Sequence, residues 1–240
     1  MSPAALGVVS SALVRVMAAW YDASDAASIM HSAGSVSQWN DKTDNARHLV
    51  QATSTKRPTT GLATQNGLNV LTFDGGDLMT FNNSSTVIGT NGLTVFSVFK
   101  KTGAAQSPEH VPPSLSSTNQ GRPCDGHGTS RHYNSASAHL GTGTGTPLDV
   151  RTQTAWCVMV WQLDAVNWTE WKDGTQTFSR AHGSTYPLST TGQTICVGKR
   201  VDEATMFLGE VAELRFYNSV LPTVDRQSVE DHLATKWGTP

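Results

Sequence analysis

The feature that most constrains this fold is a pair of segments that alternate with the period of a β-strand and are apolar on both faces. Residues 93–99 read LTVFSVF, and residues 156–163 read WCVMVWQL. Successive side chains of a strand point to opposite faces, so a strand with two apolar faces must be covered on both sides. We therefore predict two inner strands at the centre of a β-sheet protein.

A hairpin is predicted shortly after the second inner strand. Residues 168–172 (WTEWK) alternate and are followed by Asp173-Gly174. The dipeptide Asp-Gly is a strong signal for a two-residue turn, because both positions need a positive φ angle. Residues 175–178 should then return as the partner strand.

Another strand is predicted from the mixed alternation of residues 211–217 (VAELRFY). The pattern directs Ala212, Leu214 and Phe216 inward, and it directs Glu213 and Arg215 outward. We expect this strand to have one face open to water.

The last segment changes to helical spacing. Its apolar positions are Val224, Val229, His232, Leu233 and Trp237. Pro222 suits the first helical position, Lys236 lies in the last turn and Gly238 follows the end. We predict one short amphipathic helix that closes the chain.

The composition favours an all-β protein. The chain has 240 residues, a net charge of −2, 15% charged residues, and 30 Thr with 24 Ser. Hydroxyl-rich, weakly charged sequences favour strands and turns over helix interiors. We expect one domain over residues 1–240, with residues 1–15 as a docking arm or first strand. Residues 107–149 should form long surface loops with one or two short strands.

The charge and hydropathy patterns argue against two classes of partner. The densest basic groups are pairs such as Lys100-Lys101 and Lys199-Arg200, which are too few for binding to nucleic acid phosphates. No apolar run approaches the roughly 18–20 residues that a membrane helix requires. We expect no nucleic acid partner and no membrane partner.

The start of the chain and its cysteines suggest assembly in a cytoplasm. Residues 4–20 are mildly apolar, but they lack a basic leading segment, and Arg15 interrupts them. The cysteines are Cys124, Cys157 and Cys196, an odd number at wide spacing, which is not typical of a disulfide framework. We therefore expect no cleaved export signal.

Several segments together resemble LamG-like, concanavalin A-type jelly-roll domains. These are residues 20–25 (WYDASD), 36–42 (VSQWNDK), 70–77 (VLTFDGGD), 207–218 (FLGEVAELRFYN) and 233–238 (LATKWG). The resemblance spans roughly residues 13–238, and such domains are common in bacteriophage virion proteins and bacterial surface proteins. It implies two antiparallel sheets packed as a β-sandwich, with rim loops able to bind glycans or protein partners.

Related folds include glycoside hydrolases, whose chemistry needs two carboxylates converging on one sugar bond. Enzymes of this type carry acidic residues that alternate along one strand. The only candidate pair here is Glu210 and Glu213, which lie three residues apart. Strand alternation predicts that they point to opposite faces, so we expect a protein that is not an enzyme.

Two sets of residues carry side chains of the kinds that bind metal ions. The acidic pairs Asp22/Asp25, Asp41/Asp44 and Asp74/Asp77 supply oxygen atoms of the kind that Ca²⁺ prefers, but Asp also caps turns. The loop set Cys124, His127, His132 and His139 contains zinc-type ligands at a spacing that fits no zinc fold. We favour a role in turns for the acidic pairs and an exposed polar loop for the second set. We therefore expect no cofactor, with calcium bound at the acidic pairs as the alternative.

The candidate residues for binding a carbohydrate or a partner are Trp168, Trp171, His132 and Tyr133. The two tryptophans are three residues apart in one strand, so at most one of them belongs to the core. The other ring could stack on a sugar or on a partner chain.

Three functions follow from these observations and from the resemblance. The first is a non-enzymatic bacteriophage virion protein, a capsid decoration or tail-associated component. It would be assembled in the host cytoplasm and would act through self-association and contacts with other virion proteins. The alternative is a carbohydrate-binding module that adheres to a host surface polysaccharide. The third, a polysaccharide hydrolase, is disfavoured because no acidic dyad is evident.

Overall fold

The computed structural model describes residues 17–82, 92–102, 114–116, 144–145, 153–164, 166–181, 194–198 and 207–240. Within these ranges the chain forms fifteen strands and one α-helix. The strands are β1 (Met17–Asp22), β2 (Ile29–Ser32), β3 (Ser35–Trp39), β4 (Leu49–Val50), β5 (Thr59–Gln65), β6 (Leu68–Asp74), β7 (Met79–Asn82), β8 (Leu93–Lys101), β9 (Ser114–Ser116), β10 (Thr144–Gly145), β11 (Cys157–Leu163), β12 (Asn167–Lys172), β13 (Thr175–Ala181), β14 (Thr194–Val197) and β15 (Leu208–Tyr217). The helix, α1, spans Thr223–Trp237.

The strands form one continuous antiparallel hydrogen-bonded sheet, which folds over the inner core into two layers. The front sheet has the order β10-β13-β12-β11-β8-β15-β6-β5, and β1 also pairs with β15. The back sheet has the order β3-β4-β7-β14-β9, and β2 pairs with β3. A single residue pair, Ser35 with Thr59, links the two layers through β3 and β5. The predicted all-β sandwich with a short C-terminal helix is confirmed.

An inner cluster of buried side chains fills the space between the layers. Val95 and Met159 enter it from the front sheet, and Trp39 and Ile195 enter it from the back sheet. Packing of apolar side chains between two sheets is the main source of stability of a sandwich.

An outer cluster covers the other face of the front sheet, beneath α1. It joins Val98 and Val160 of the sheet to Val229, Leu233 and Trp237 of the helix. The two clusters explain why the segments that form β8 and β11 are apolar on both faces. The prediction of two inner strands is confirmed.

The hairpin prediction is also confirmed. Strands β12 and β13 pair across Asp173 and Gly174, whose φ angles are 48° and 75°. Two positive φ angles in a row define the turn that the sequence signal indicated.

Two predictions for β15 are wrong because the strand is irregular: Ala212, expected inward, belongs to the outer cluster, and Glu210 and Glu213 do not point to opposite faces. Its register against β8 shifts between Val211 and Glu213. Glu210 lies opposite Lys100, and Glu213 lies opposite Val98. Lys100 and Val98 are two residues apart and share a face, so both glutamates lie on that same face of the sheet rather than on opposite faces.

The face of β15 that was expected to meet water is buried. Glu213 and Arg215 are each 1% exposed. Helix α1 packs over this side of the sheet and supplies Trp237 as a direct contact. The pattern of alternation was interpreted correctly for Leu214 and Phe216, which join the inner cluster.

The closing helix matches its prediction with two differences. Gly238 ends the helix as predicted, with a left-handed φ of 62°. The first difference is that Pro222 is the N-cap rather than the first helical residue. Val224, expected on the apolar stripe, is 72% exposed. In the described ranges, no helix is long and apolar enough to cross a membrane.

Some predictions fall on residues outside the described ranges. They concern residues 1–15, the loop residues Cys124, His127, His132, Tyr133 and His139, and most of 107–149. The last segment contributes β9 and β10, in agreement with the expected one or two short strands.

Candidate functional site

An open groove lies between the β12–β13 turn and α1. Its volume is about 390 Å³, which is within the range of roughly 300–1,000 Å³ typical of small-molecule sites. Its lining consists of Val158, Asp173 and Gly174 from the sheet side, Glu230, Asp231, Ala234 and Thr235 from α1, and Pro240. Three of these residues carry carboxylates, and none of the described lining residues is basic.

Asp173 is positioned by the hairpin turn. Its Oδ1 accepts a hydrogen bond of 2.8 Å from the backbone N–H of Val158, which fixes the side chain against β11. Burial raises the pKa of the Asp173 carboxyl, although this hydrogen bond and the nearby Lys172 oppose the shift. The Nζ of Lys172 is 3.9 Å from Oδ2, beyond hydrogen-bond distance.

Glu230 is the most buried carboxylate of the groove. The residue is 4% exposed, and its Oε2 forms an ion pair with Arg226 one helical turn earlier. Its Oε1 has no hydrogen-bond partner among the described residues. Burial raises the pKa of Glu230, Arg226 opposes this shift, and the charges of Asp231 and Asp173 reinforce it.

Trp171 is not among the lining residues of the groove, but Arg226 links it to one of them, Glu230. The guanidinium carbon of Arg226 is 4.3 Å from the centroid of a Trp171 ring, a cation–π arrangement. Trp171 is partly buried against the outer cluster. Arg226 therefore joins the aromatic ring to the Glu230 carboxylate.

A buried ionic cluster holds the helical wall of the groove in place. Glu213 accepts hydrogen bonds of 2.7 Å from Lys236 and 2.8 Å from Trp237, both in the last turn of α1. Lys236 also pairs with Asp22 of β1 at 2.8 Å. These contacts fasten α1 to the front sheet, so the distance between its side chains and the β12–β13 turn is fixed.

The structure separates the two candidate tryptophans. Trp168 joins the inner cluster and is 2% exposed, and its Nε1 donates a hydrogen bond of 3.0 Å to Glu170. Its ring has no face open to a sugar, which corrects the inclusion of Trp168 among the binding residues. Trp171 lies on the opposite side of the sheet, as the strand pattern predicted. His132 and Tyr133 lie outside the described ranges.

The acidic pairs act in turns. Asp22 accepts a hydrogen bond from the N–H of Ser24, Asp41 from that of Thr43, and Asp74 from that of Gly76. This is the turn chemistry favoured by the sequence. The described residues contain no group of three or more His, Cys, Asp and Glu side chains placed to hold a metal ion.

The groove carboxylates were missed by sequence reasoning. Asp173 was interpreted only as a turn residue, and Glu230 and Asp231 were not singled out. One signal was present: Glu230 follows Arg226 by four residues and stands between Val229 and Leu233 of the apolar stripe. A charged pair at this spacing that borders a buried stripe is positioned to be partly buried.

No protein-family model matches the chain, and no curated protein sequence matches it significantly. Solved structures do match. Domain 4 of a GH43 extracellular arabinanase from Geobacillus stearothermophilus, in complex with arabinotriose, has a TM-score of 0.61 at 14% identity. The match covers 90% of this chain and 97% of that domain.

Two longer proteins contain a similar region. Trypanosoma rangeli sialidase in complex with sialic acid has a TM-score of 0.57 at 13% identity, covering 95% of this chain and 34% of the sialidase. The binding domain of Paraclostridial mosquitocidal protein 1 has a TM-score of 0.60 at 8% identity, covering 91% of this chain and 52% of that domain. This chain thus spans about a third of the length of the sialidase and about half of the length of the binding domain. At identities this low, the structural likeness shows a shared β-sandwich fold alone.

Proposed function

We propose that the chain is a non-enzymatic carbohydrate-binding module and that the acidic groove beside Trp171 is its binding site. The observation that carries the proposal is the groove itself, an open volume of about 390 Å³ whose lining includes the acidic residues Asp173, Glu230 and Asp231. A few polar groups converging on a cleft near an aromatic ring are typical of small-ligand sites.

The chemistry of the groove suits a sugar. Ionised carboxylates only accept hydrogen bonds, and sugar hydroxyl groups donate them. Trp171 lies outside the lining and holds Arg226 over its ring, but it is only partly buried, so the open part of the ring can pack with the C–H face of a sugar that extends from the groove. The fold likeness to the arabinanase domain in complex with arabinotriose supports a sugar as the ligand class.

The absence of catalysis is part of the proposal. Glu210 and Glu213 share a face, but Glu213 is 1% exposed beneath α1, and Glu210 lies 2.8 Å from Lys100. A glycosidase needs two carboxyl groups that flank the sugar bond. If the protein released reducing sugar from a polysaccharide, and Glu210→Gln abolished that release, the proposal that it is not an enzyme would be contradicted.

Isothermal titration calorimetry against short oligosaccharides, including arabinotriose, tests the binding. We expect dissociation constants in the millimolar range or tighter for at least one oligosaccharide. Asp231→Asn and Trp171→Ala should each weaken that binding by about tenfold, the loss of roughly 1.4 kcal/mol. Asp44→Asn replaces an exposed carboxylate that does not line the groove and should leave it unchanged. Binding that is unaffected by both groove variants would overturn the assignment of the site.

A place in a bacteriophage particle is a second proposal, supported by the resemblance to LamG-like domains and by the low charge of the sequence. Subunit contacts are depleted of Lys, Glu and Asp, which fits self-association or contacts with other virion proteins. Quantitative proteomics of density-purified particles tests it. Absence of the chain from the particles would exclude this role and leave the glycan-binding proposal unaffected.

A further inference from the structure

The turn between β5 and β6 caps the C-terminal end of α1. The Nδ2 atom of Asn66 donates a hydrogen bond of 2.9 Å to the carbonyl oxygen of Lys236. The Nε2 atom of Gln65 donates another, of 2.7 Å, to the carbonyl oxygen of Trp237. The last carbonyl groups of a helix have no donor within the helix, and they form the negative end of its dipole. Two side-chain amides from one turn therefore hold the end of α1.

Asn66 fits this position closely. Asn66 and Gly67 have φ angles of 48° and 75°, and two positive φ angles in a row define the tight turn for which Asn-Gly is a preferred pair. On the other side lies Gly238, the residue that ends α1. A Cβ atom at Gly238 would lie 3.2 Å from Cγ of Asn66, closer than ordinary van der Waals contact. The Asn66 side chain is therefore packed against the helix end as well as hydrogen-bonded to it.

The pair that forms this turn is also chemically labile. Asparagine is among the thermolabile residues, and a glycine after it has no Cβ atom to shield its backbone nitrogen. That nitrogen gives up its proton and bonds to Cγ of the asparagine, the bond from Cγ to the side-chain nitrogen breaks, and ammonia leaves with the proton. One water molecule then opens the resulting succinimide ring to aspartate or isoaspartate. Asn66 and Gly67 are both exposed, so water has access to them.

Deamidation reverses the interaction of this turn with α1. A carboxylate only accepts hydrogen bonds, so it has no donor for the carbonyl oxygen of Lys236, and it places a negative charge at the negative end of the helix dipole. The Nζ atom of Lys236 is already paired with Glu213 at 2.7 Å and with Asp22 at 2.8 Å. Isoaspartate also adds a methylene group to the backbone of the turn. Either product removes a cap from α1.

We propose that Asn66-Gly67 is a modification site at which spontaneous deamidation releases the end of α1, so that the turn acts as a slow, irreversible switch on helix docking. Because α1 covers the outer cluster, its release exposes apolar side chains of the front sheet. The coupling runs in both directions. The hydrogen bonds of Gln65 and Asn66 restrict the turn while α1 is docked, so the reaction is faster when the last turn of α1 opens. This inference does not depend on glycan binding.

The first test follows the full chain during incubation at pH 7.5 and 37 °C, with peptide mapping by mass spectrometry. We expect aspartate and isoaspartate to accumulate at position 66. Accumulation should be faster in Gln65→Ala, which removes the donor to Trp237. In urea the second Asn-Gly pair of the sequence, Asn91-Gly92, serves as a reference, because leucine follows both pairs and the two sites should react at similar rates.

Two results of the incubation would overturn the proposal. One is an intact Asn66 in the folded chain under conditions that deamidate it in urea, which would exclude the modification site. The other is an equal rate in Gln65→Ala and in the unmodified chain, which would exclude coupling to the helix end.

The second test measures the effect of the modification on α1 by amide hydrogen exchange of residues 229–237. Asn66→Asp reproduces the charge, and Asn66→Gly is its matched control, because glycine keeps the positive φ angle and removes the donor without adding charge. We expect exchange about tenfold faster in Asn66→Asp than in the unmodified chain, a change of roughly 1.4 kcal/mol in the opening equilibrium. Asn66→Gly should be intermediate. Equal exchange in Asn66→Asp and in the unmodified chain would overturn the switch.

Discussion

The indole Nε1 of Trp237 donates a hydrogen bond of 2.8 Å to Oε2 of Glu213, across the interface between α1 and the front sheet. The carboxylate of Glu213 also accepts from Trp20 at 2.8 Å, from Arg215 at 2.7 Å and from Lys236 at 2.7 Å. A buried carboxylate is tolerated only when it is paired and hydrogen-bonded, and these donors meet that condition. One side chain thus fixes the position of the helix that forms a wall of the groove.

Replacement of Glu213 should destabilise the whole domain. In Glu213→Gln the buried cation of Arg215 loses its ion-pair partner, and Lys236 keeps only Asp22. Breaking a buried ion pair costs about 3–5 kcal/mol. Urea denaturation followed by tryptophan fluorescence measures the loss. Asp44→Asn, at an exposed position, should change the free energy of unfolding by less than about 0.5 kcal/mol. A similarly small effect of Glu213→Gln would mean that the cluster does not hold the helix.

The same cluster should make the protein sensitive to acid. Lys236 and Lys42 hold the pKa of Asp22 below its ordinary value of 3.8 against the effect of burial, and Arg215 and Lys236 do the same for Glu213 below 4.5. A carboxyl group whose pKa is lowered by folding stabilises the folded state at pH values above its ordinary pKa. This stabilisation is lost as the pH falls through the pKa of the folded state. The free energy of unfolding should therefore decrease below about pH 4.5, and less steeply in Asp22→Asn. If the free energy of unfolding of Asp22→Asn decreased with falling pH as steeply as that of the unmodified chain, the contribution of Asp22 to acid sensitivity would be contradicted.

Asp77 should act in the opposite direction. Burial and the neighbouring charge of Asp74 raise its pKa from 3.8 to about 7, although the hydrogen bond from the backbone N–H of Asp74 opposes the shift. A carboxyl group whose pKa is raised by folding stabilises the folded state at pH values below its ordinary pKa. For Asp77 this stabilisation is lost as the pH rises from 3.8 to about 7. Asp77→Asn keeps an acceptor for Asp74 and cannot ionise. Its stability relative to the unmodified chain should improve between pH 5 and pH 8; a constant difference across that interval would show that Asp77 titrates normally.

The two tryptophans of β12 should respond differently to replacement. Trp168 is 2% exposed between the sheets, so Trp168→Ala should cost about 3–5 kcal/mol of stability. Trp171 is only partly buried, so Trp171→Ala should cost less stability and weaken glycan binding instead. Thermal unfolding and calorimetry on both variants check this. Equal losses of stability would contradict the separate positions of the two rings.

Much of the fold was predictable because apolar alternation is a local property. The segments that form β8 and β11 show two apolar faces, and the structure buries both. The irregular register of β15 was not predictable, because nothing in residues 211–217 marks the position where pairing shifts. The burial of Glu213 depends in turn on where α1 packs, which is a property of the tertiary structure.

The candidate site was less predictable than the fold. Trp171 was found because an aromatic residue on a polar strand stands out in the sequence. Asp173 and Glu230 are 57 positions apart in the sequence and line one groove only because α1 folds back over the front sheet. Sequence spacing carries no signal for such a pair, whereas the turn chemistry of Asp173 was visible locally.

The most direct test of glycan binding at the groove is a titration of the ¹⁵N-labelled chain with the short oligosaccharide that binds most tightly in calorimetry, followed by amide chemical shifts. Shifts should concentrate at Trp171, Asp173, Gly174 and along residues 230–235, and they should disappear in Asp231→Asn. Saturable shifts confined to other parts of the chain, or no shifts with any glycan at millimolar concentration, would contradict binding at this groove.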